Sequence, residues 1–310
     1  MSSHVTVGFD IGGTNMRASV VTENGEIIES YSVPVPRTAE KLQAGIVEVV
    51  DKLKTNHQIS AVGLAIAGFL DPDCETVRFA PHLPWRDHPV RAELSAALDL
   101  PVCLEHDANS AAWGEYRFGA ARGVDTWVLF AIGTGIGATL MHNGEIYRGA
   151  YGTAPEFGHI QVVVGGRECP CGKKGCLERY CSGSALVATA QELLARYPDT
   201  DSILRKAPFN GEDVMIAARD GDELALQVVA DFADWLGLGL SFVSDILDPS
   251  VILIGGGVST DADLYLPQAT AKMQSSIVGA GYRPTPVVAC AELGGAAGMI
   301  GVADLARKLA

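Results

Sequence analysis

Two stretches of this chain carry nearly the same pattern about 120 residues apart, and that repetition constrains the fold more than any other feature. The first runs Ile11-Gly12-Gly13-Thr14 and on to Asn24-Gly25-Glu26-Ile27. The second runs Ile132-Gly133-Thr134-Gly135 and on to Asn143-Gly144-Glu145-Ile146. In each, a β-rich run enters a glycine turn, a second run leaves it, and an Asn-Gly dipeptide opens a further hairpin. The copies are too far apart to be units of a solenoid. They read as the openings of two similar α/β domains.

The remaining pattern fits that reading. A helix is expected over 39–55, a buried strand over 61–67 ending at Gly68, a strand over 101–105 and a helix over 109–117. After the second copy come a long helix over 223–246, a strand over 251–254 ended by Gly255-Gly256-Gly257, a helix following it, a last strand over 286–289 and a closing helix over 298–309. Alternating strands and helices argue for an α/β fold with parallel components. A chain of 310 residues suits two cores rather than one. The expected division is a small N-terminal domain, 1–118, closed by the C-terminal helix 297–310, and a larger domain, 119–296.

Charge and cysteine usage narrow the function classes. The net charge of −14 repels nucleic acid and anionic membranes, yet backbone N–H groups can still hold a nucleotide's phosphates locally. No apolar run reaches the ~18 to 20 residues of a membrane span. Met1 to His4 lack a secretory pattern, so a cytoplasmic location is expected. The first strand starts almost at once, so an appended N-terminal domain is not expected. Three of the seven cysteines crowd into Cys169, Cys171 and Cys176, which points to metal more than to disulfides. Cys74, Cys103, Cys181 and Cys290 read as ordinary core or helix residues.

Three glycine turns sit at strand ends: Gly12-Gly13-Thr14, Gly133-Thr134-Gly135 and Gly255-Gly256-Gly257. Polyphosphate needs many N–H donors and little side-chain bulk, which such turns supply. Thr14 and Thr134 add hydroxyls, and Asp10 is placed to hold magnesium through water. No G-x-x-x-x-G-K-[ST] is present, and no turn completes G-x-G-x-x-G, so the P-loop and the dinucleotide fingerprint are both absent. Plain hairpin chemistry would also want glycine at these places.

Glu105-His106-Asp107-Ala108-Asn109 ends a buried strand and opens a helix, where ligands of open α/β sheets sit. Asp107 is either the helix N-cap or a base that receives a hydroxyl proton. The strongest local signal is His159 with Cys169, Cys171 and Cys176. Three thiolates and an imidazole make a closed tetrahedral set, suited to structural zinc rather than catalysis. Glu156 and Glu178 flank these ligands, and carboxylates accept hydrogen bonds from sugar hydroxyls.

In combination and order these motifs resemble the ROK family, which includes hexose and N-acetylhexosamine kinases. The resemblance spans essentially the whole chain and rests on Asp10 to Thr14, His106 to Asn109, Ile132 to Gly137, Glu156 to His159, Cys169 to Glu178 and Gly255 to Gly257. It implies an actin-like (ribonuclease H-like), two-domain fold with the sugar in a cleft, and ATP with Mg²⁺ as donor. It implies that Asp107 takes the proton of the 6-hydroxyl of D-glucose. Asn109 would shape the loop. Gly68, His106, Asp107, Glu156, His159 and Glu178 would hold the sugar, His159 also binding Zn²⁺. The glycine turns would hold ATP, and a homodimer or homotetramer is common. Two positions depart from the family. His106 stands where Asn is usual, and it offers one hydrogen bond as donor or acceptor. Ala67 stands where Pro is frequent. Other hexoses, N-acetylmannosamine and N-acetylglucosamine remain alternative substrates, polyphosphate an alternative donor, and a sugar-responsive repressor an alternative class.

Overall fold

The first glycine motif folds as an antiparallel hairpin of β1 (Val5–Ile11) and β2 (Asn15–Val21), with β3 (Ile27–Pro34) on the far side of β2. This computed structural model describes residues 4–206 and 208–310; Met1 to Ser3, part of the segment read for a leader, lie outside them. After β3 come α1 (Ala39–Lys54) and β4 (Ile59–Ile66). A small sheet of β5 (Phe69–Leu70), β6 (Val77–Phe79) and β7 (Arg86–His88) follows. Then come α2 (Val90–Leu98), β8 (Val102–His106) and α3 (Asp107–Phe118). The large sheet has the order β3-β2-β1-β4-β8, and β1, β4 and β8 run parallel.

The second glycine motif repeats this plan. It contributes β9 (Trp127–Ile132), β10 (Ile136–His142) and β11 (Glu145–Tyr147). Next come α4 (Gly183–Arg196), α5 (Gly211–Arg219), α6 (Glu223–Leu247) and β12 (Val251–Gly255). The chain ends with α7 (Ala262–Ser276), β13 (Val287–Cys290) and α8 (Ala297–Arg307). The second sheet, β11-β10-β9-β12-β13, matches the first strand for strand. Both copies have a three-residue glycine turn between strands of seven residues at β2 and β10. Their unequal lengths come from the next turn. His142 directly precedes Asn143, and Asn143 and Gly144 both have positive φ, a two-residue hairpin. In the first copy Thr22 and Glu23 intervene, and only Gly25 is left-handed.

The chain divides into two compact units. One comprises Met1–Asp125, Thr139–Pro155 and Glu292–Ala310, the other Thr126–Ala138 and Glu156–Ala291. In the first, α8 lies directly on the sheet. A Cβ on Gly8 would stand 2.0 Å from the Met299 carbonyl oxygen, and one on Gly63 would stand 2.2 Å from that of Val302. Glycine in β1 and β4 is therefore what lets a helix backbone touch a strand backbone. Phe9, Ile11, Met16, Leu42, Ile46 and Leu64 fill the core beside it.

The structure adjusts several sequence expectations. Helix α3 starts at Asp107 rather than 109, making Asp107 its first residue. Strand β13 starts after Pro286, which has no N–H to donate; Val287 N–H donates to the Ser250 carbonyl at 3.0 Å. Helix α7 follows the glycine run as expected and carries Pro267 inside it. Helix α6 is long and apolar enough by composition to cross a membrane, contrary to the reading of the sequence. Yet 56% of its most apolar window is buried within the protein, as in a core helix.

Candidate active site

In the first unit, the parallel strands β4 and β8 end at Ile66 and His106, paired in register. Their carboxyl ends present Gly68 and Asp107. A Cβ on Gly68 would lie 2.7 Å from the Phe79 carbonyl oxygen, so the β5–β6 hairpin packs directly on that backbone. Asp107 does not cap α3: the N-cap position is His106, and no side chain bonds the first turn from there. Asp107 Oδ1 instead accepts the Ala108 N–H at 2.7 Å and lies 3.3 Å from His106 Nδ1. Its side chain is 45% exposed, and it sits at the positive end of a 12-residue helix. An exposed carboxylate excused from capping is positioned to take a proton.

Behind it is a buried network. Glu105 Oε1 accepts the His106 N–H at 3.0 Å and Asn109 Nδ2 at 2.9 Å. Glu105 Oε2 accepts Arg148 Nε at 3.1 Å and also Arg148 Nη2. Thr139 Oγ1 donates to Asn109 Oδ1 at 3.0 Å. Sequence reasoning assigned Asn109 to loop shaping but passed over Glu105, Thr139 and Arg148, which lie far apart in the chain.

The first glycine turn is held by Gly12 N–H to the Asn15 carbonyl at 3.1 Å. Thr14 is likewise fixed through its backbone, its carbonyl accepting Val35 N–H at 2.8 Å, and a Cβ on Gly13 would meet His82 at 2.8 Å. Asp10 lies opposite Arg17 in the β1–β2 register and is ion-paired with it.

In the second unit, Gly133, Thr134 and Gly257 line a cavity of about 550 Å³, within the size range of small-molecule sites. The cavity also receives Gly183 and Gly211, the first residues of α4 and α5. Ser182 caps α4, and Asn210 caps α5 in a capping box with Asp213. Two helix N-termini thus open on one cavity, a setting for anions. Gly183 N–H donates to the Gly133 carbonyl at 2.8 Å, and Ser184 Oγ donates to that of Thr134 at 2.7 Å, fastening the turn to α4. These helix starts were missed in the sequence, although Asn210 followed by Asp213 is a readable capping signal. Gly255 ends β12, and Gly256 has φ 81° and ψ 179°, a conformation essentially limited to glycine. A Cβ there would stand 2.3 Å from the Ile132 carbonyl oxygen. Gly256→Ala is therefore expected to cost at least about 1–3 kcal/mol of stability, which denaturant unfolding would measure.

The metal-type residues converge. Ligand atoms of His159, Cys169, Cys171 and Cys176 all lie within 4.8 Å of one another. Cys169 Sγ is 3.6 Å from His159 Nδ1, and Cys171 Sγ is 3.7 Å from Cys176 Sγ. With Nδ1 toward the thiols, His159 Nε2 points the other way, 3.9 Å from Glu156. Glu178 Oε1 accepts Cys169 Sγ–H at 3.1 Å, and its Oε2 accepts Ile136 N–H at 3.4 Å. A Cβ on Gly135 would lie 2.5 Å from Glu178 Oε2, so this glycine turn abuts the cluster.

Comparison with known proteins agrees with this geometry. A family model described as "ROK family" matches residues 6–309. The glucokinase of Streptomyces coelicolor is 38% identical, over 98% of this chain and 98% of its own. A ROK family glucokinase from Streptomyces griseus, solved in complex with glucose and AMPPNP, superposes with a TM-score of 0.86 at 40% identity, covering 98% and 99% of the two chains. The ROK hexokinase of Thermus thermophilus gives a TM-score of 0.81 at 29% identity, covering 98% of each.

Proposed function

This chain belongs to the ROK family and has its actin-like sugar-kinase fold, and on that premise we propose that it is an ATP-dependent glucokinase. One observation carries the proposal: similarity over nearly the whole chain to a glucokinase whose structure holds glucose and an ATP analogue. The reaction joins the 6-oxygen of D-glucose to the γ-phosphorus of ATP and breaks the bond to ADP. Asp107 receives the 6-hydroxyl proton and later releases it to solvent. Oδ1 is occupied by the Ala108 N–H, so Oδ2 is the oxygen for this task. Gly68, His106, Glu156, His159 and Glu178, together with Asp107, hold the sugar so that transfer is effectively unimolecular.

Gly12, Gly13 and Thr14, Gly133, Thr134 and Gly135, and Gly255, Gly256 and Gly257 hold ATP through backbone N–H groups. Mg²⁺ bound with ATP would neutralise phosphate charge, and Asp10, now ion-paired with Arg17, would be the residue to hold it through water. Zn²⁺ fits the His159, Cys169, Cys171 and Cys176 set. Bonds of about 2.3 Å to sulfur and 2.0 Å to nitrogen in a tetrahedron give S···S edges of about 3.8 Å and S···N edges of about 3.5 Å. The separations of 3.7 and 3.6 Å match. A closed set leaves no coordination position for substrate, so the metal shapes the sugar site and does no chemistry. The working protein is cytoplasmic and homo-oligomeric in this reading.

An ADP-release assay with MgATP over glucose, mannose, N-acetylglucosamine and N-acetylmannosamine tests it. Turnover on glucose above the others is expected. Preference for an amino sugar would move the substrate, and silence on all four with ATP would overturn the proposal.

A further inference from the structure

Asp107 has little of its own to hold it. Among the described residues, the backbone donor to its carboxylate is its neighbour Ala108, so its position follows the backbone at His106 and Asp107. Glu105 fixes that backbone. Its Oε1 bonds the residue before Asp107 through the His106 N–H and the residue two after it through Asn109 Nδ2. The other oxygen is gripped by two nitrogens of Arg148, from the segment that follows β11. Glu105 is 2% exposed, so its charge has lost its water and depends on Arg148.

Two neighbouring thiols add no charge. Burial first, then the charge of Glu105, pushes the neighbouring thiols of Cys74 and Cys103 up to about 12, so both stay protonated. Burial works against the charge of Arg148, but Glu105 outweighs it and keeps the guanidinium protonated. A buried ion pair is a poor source of stability, since neutral residues of similar volume often serve as well. Its location, one residue from the proton acceptor, gives it another use.

We propose that Glu105 and Arg148 are positioning residues for phosphoryl transfer, with Arg148 aligning Glu105 and Glu105 fixing the backbone that aims Asp107. Thr139 completes the brace by holding Asn109. The inference rests on Asp107 being the base and reaches residues outside the substrate-binding set.

The test uses the full chain. Arg148→Met alone strands a buried charge and can fail to fold, so the decisive variant is Glu105→Gln combined with Arg148→Met. It removes both charges, while the glutamine oxygen still accepts from His106 and Asn109. Expected are parental unfolding stability and zinc content, KM values for glucose and ATP within about threefold, and kcat lowered about 10- to 100-fold, the scale of a misplacement near 1 Å. Amides 106–109 should exchange hydrogen faster than in the parent. Arg148→Lys, which keeps the charge but loses the two-pronged grip, should fall between parent and double variant. A double variant with parental kcat would overturn the inference alone. So would one whose kcat and unfolding stability fall together, since that is a merely structural role. A parent that phosphorylates no sugar would instead overturn the reading of Asp107, and this inference with it.

Discussion

Asp107→Asn is expected to lower kcat by roughly 10²- to 10⁴-fold while leaving glucose binding largely intact. Asparagine has the same shape, and its amide oxygen still accepts the Ala108 N–H that Oδ1 now accepts at 2.7 Å. What it loses is the capacity to take a proton. The one bond this side chain gives the first turn of α3, from the Ala108 N–H, is kept by the asparagine oxygen. The loss should therefore appear in turnover and not in folding. Steady-state kinetics with glucose titrated by intrinsic fluorescence separate the two. Asp107→Ala should behave alike in kcat. Near-parental turnover in either variant would remove Asp107 from the role of base.

Cys171→Ser is expected to abolish stoichiometric zinc and to raise the glucose KM at least about tenfold, the lower range for disturbing a metal site's surroundings. Structural zinc supplies on the order of 10 kcal/mol of local folding free energy, and a serine hydroxyl does not ionise to replace a thiolate. The loss should spread because His159 belongs to the proposed ligand set, with Glu178 3.7 Å from its Nδ1 and Glu156 3.9 Å from its Nε2. Without the ion, nothing fixes the imidazole between the two carboxylates. Metal analysis by mass spectrometry and glucose kinetics would be run on the same sample. Cys290→Ser, outside the cluster, serves as the control and should change neither. A parent protein that never contains metal yet phosphorylates glucose would refute the assignment.

Much of this was legible in the residues because it depends on local chemistry. Hairpins at Gly12-Gly13 and Gly133-Thr134 follow from turn sterics, and buried strands such as Ile59–Ile66 follow from continuous apolar runs. Cysteine crowding pointed to the cluster with His159, since its three thiols lie within eight residues of each other. Other features left no local trace. The start of α3 was placed two residues late because a strand leading straight into a helix offers no capping signal at His106. The helices α4 and α5 were missed, and with them the second wall of the nucleotide-type cavity.

Backbone-scale events, then, belong to the sequence: a turn, a strand or a ligand cluster is decided by neighbours a few bonds away. The duplicated core is one of them, because two similar local patterns fold to two similar sheets. Which side chains meet across long loops is decided only in the folded chain. Arg148 reaches Glu105 from 43 residues away, and α8 presses its backbone onto Gly8 and Gly63 from the far end of the sequence. Such contacts depend on how whole elements pack. No periodicity within one segment encodes them, because the free energy of burying a charge or closing a backbone gap exists only once both partners are in place.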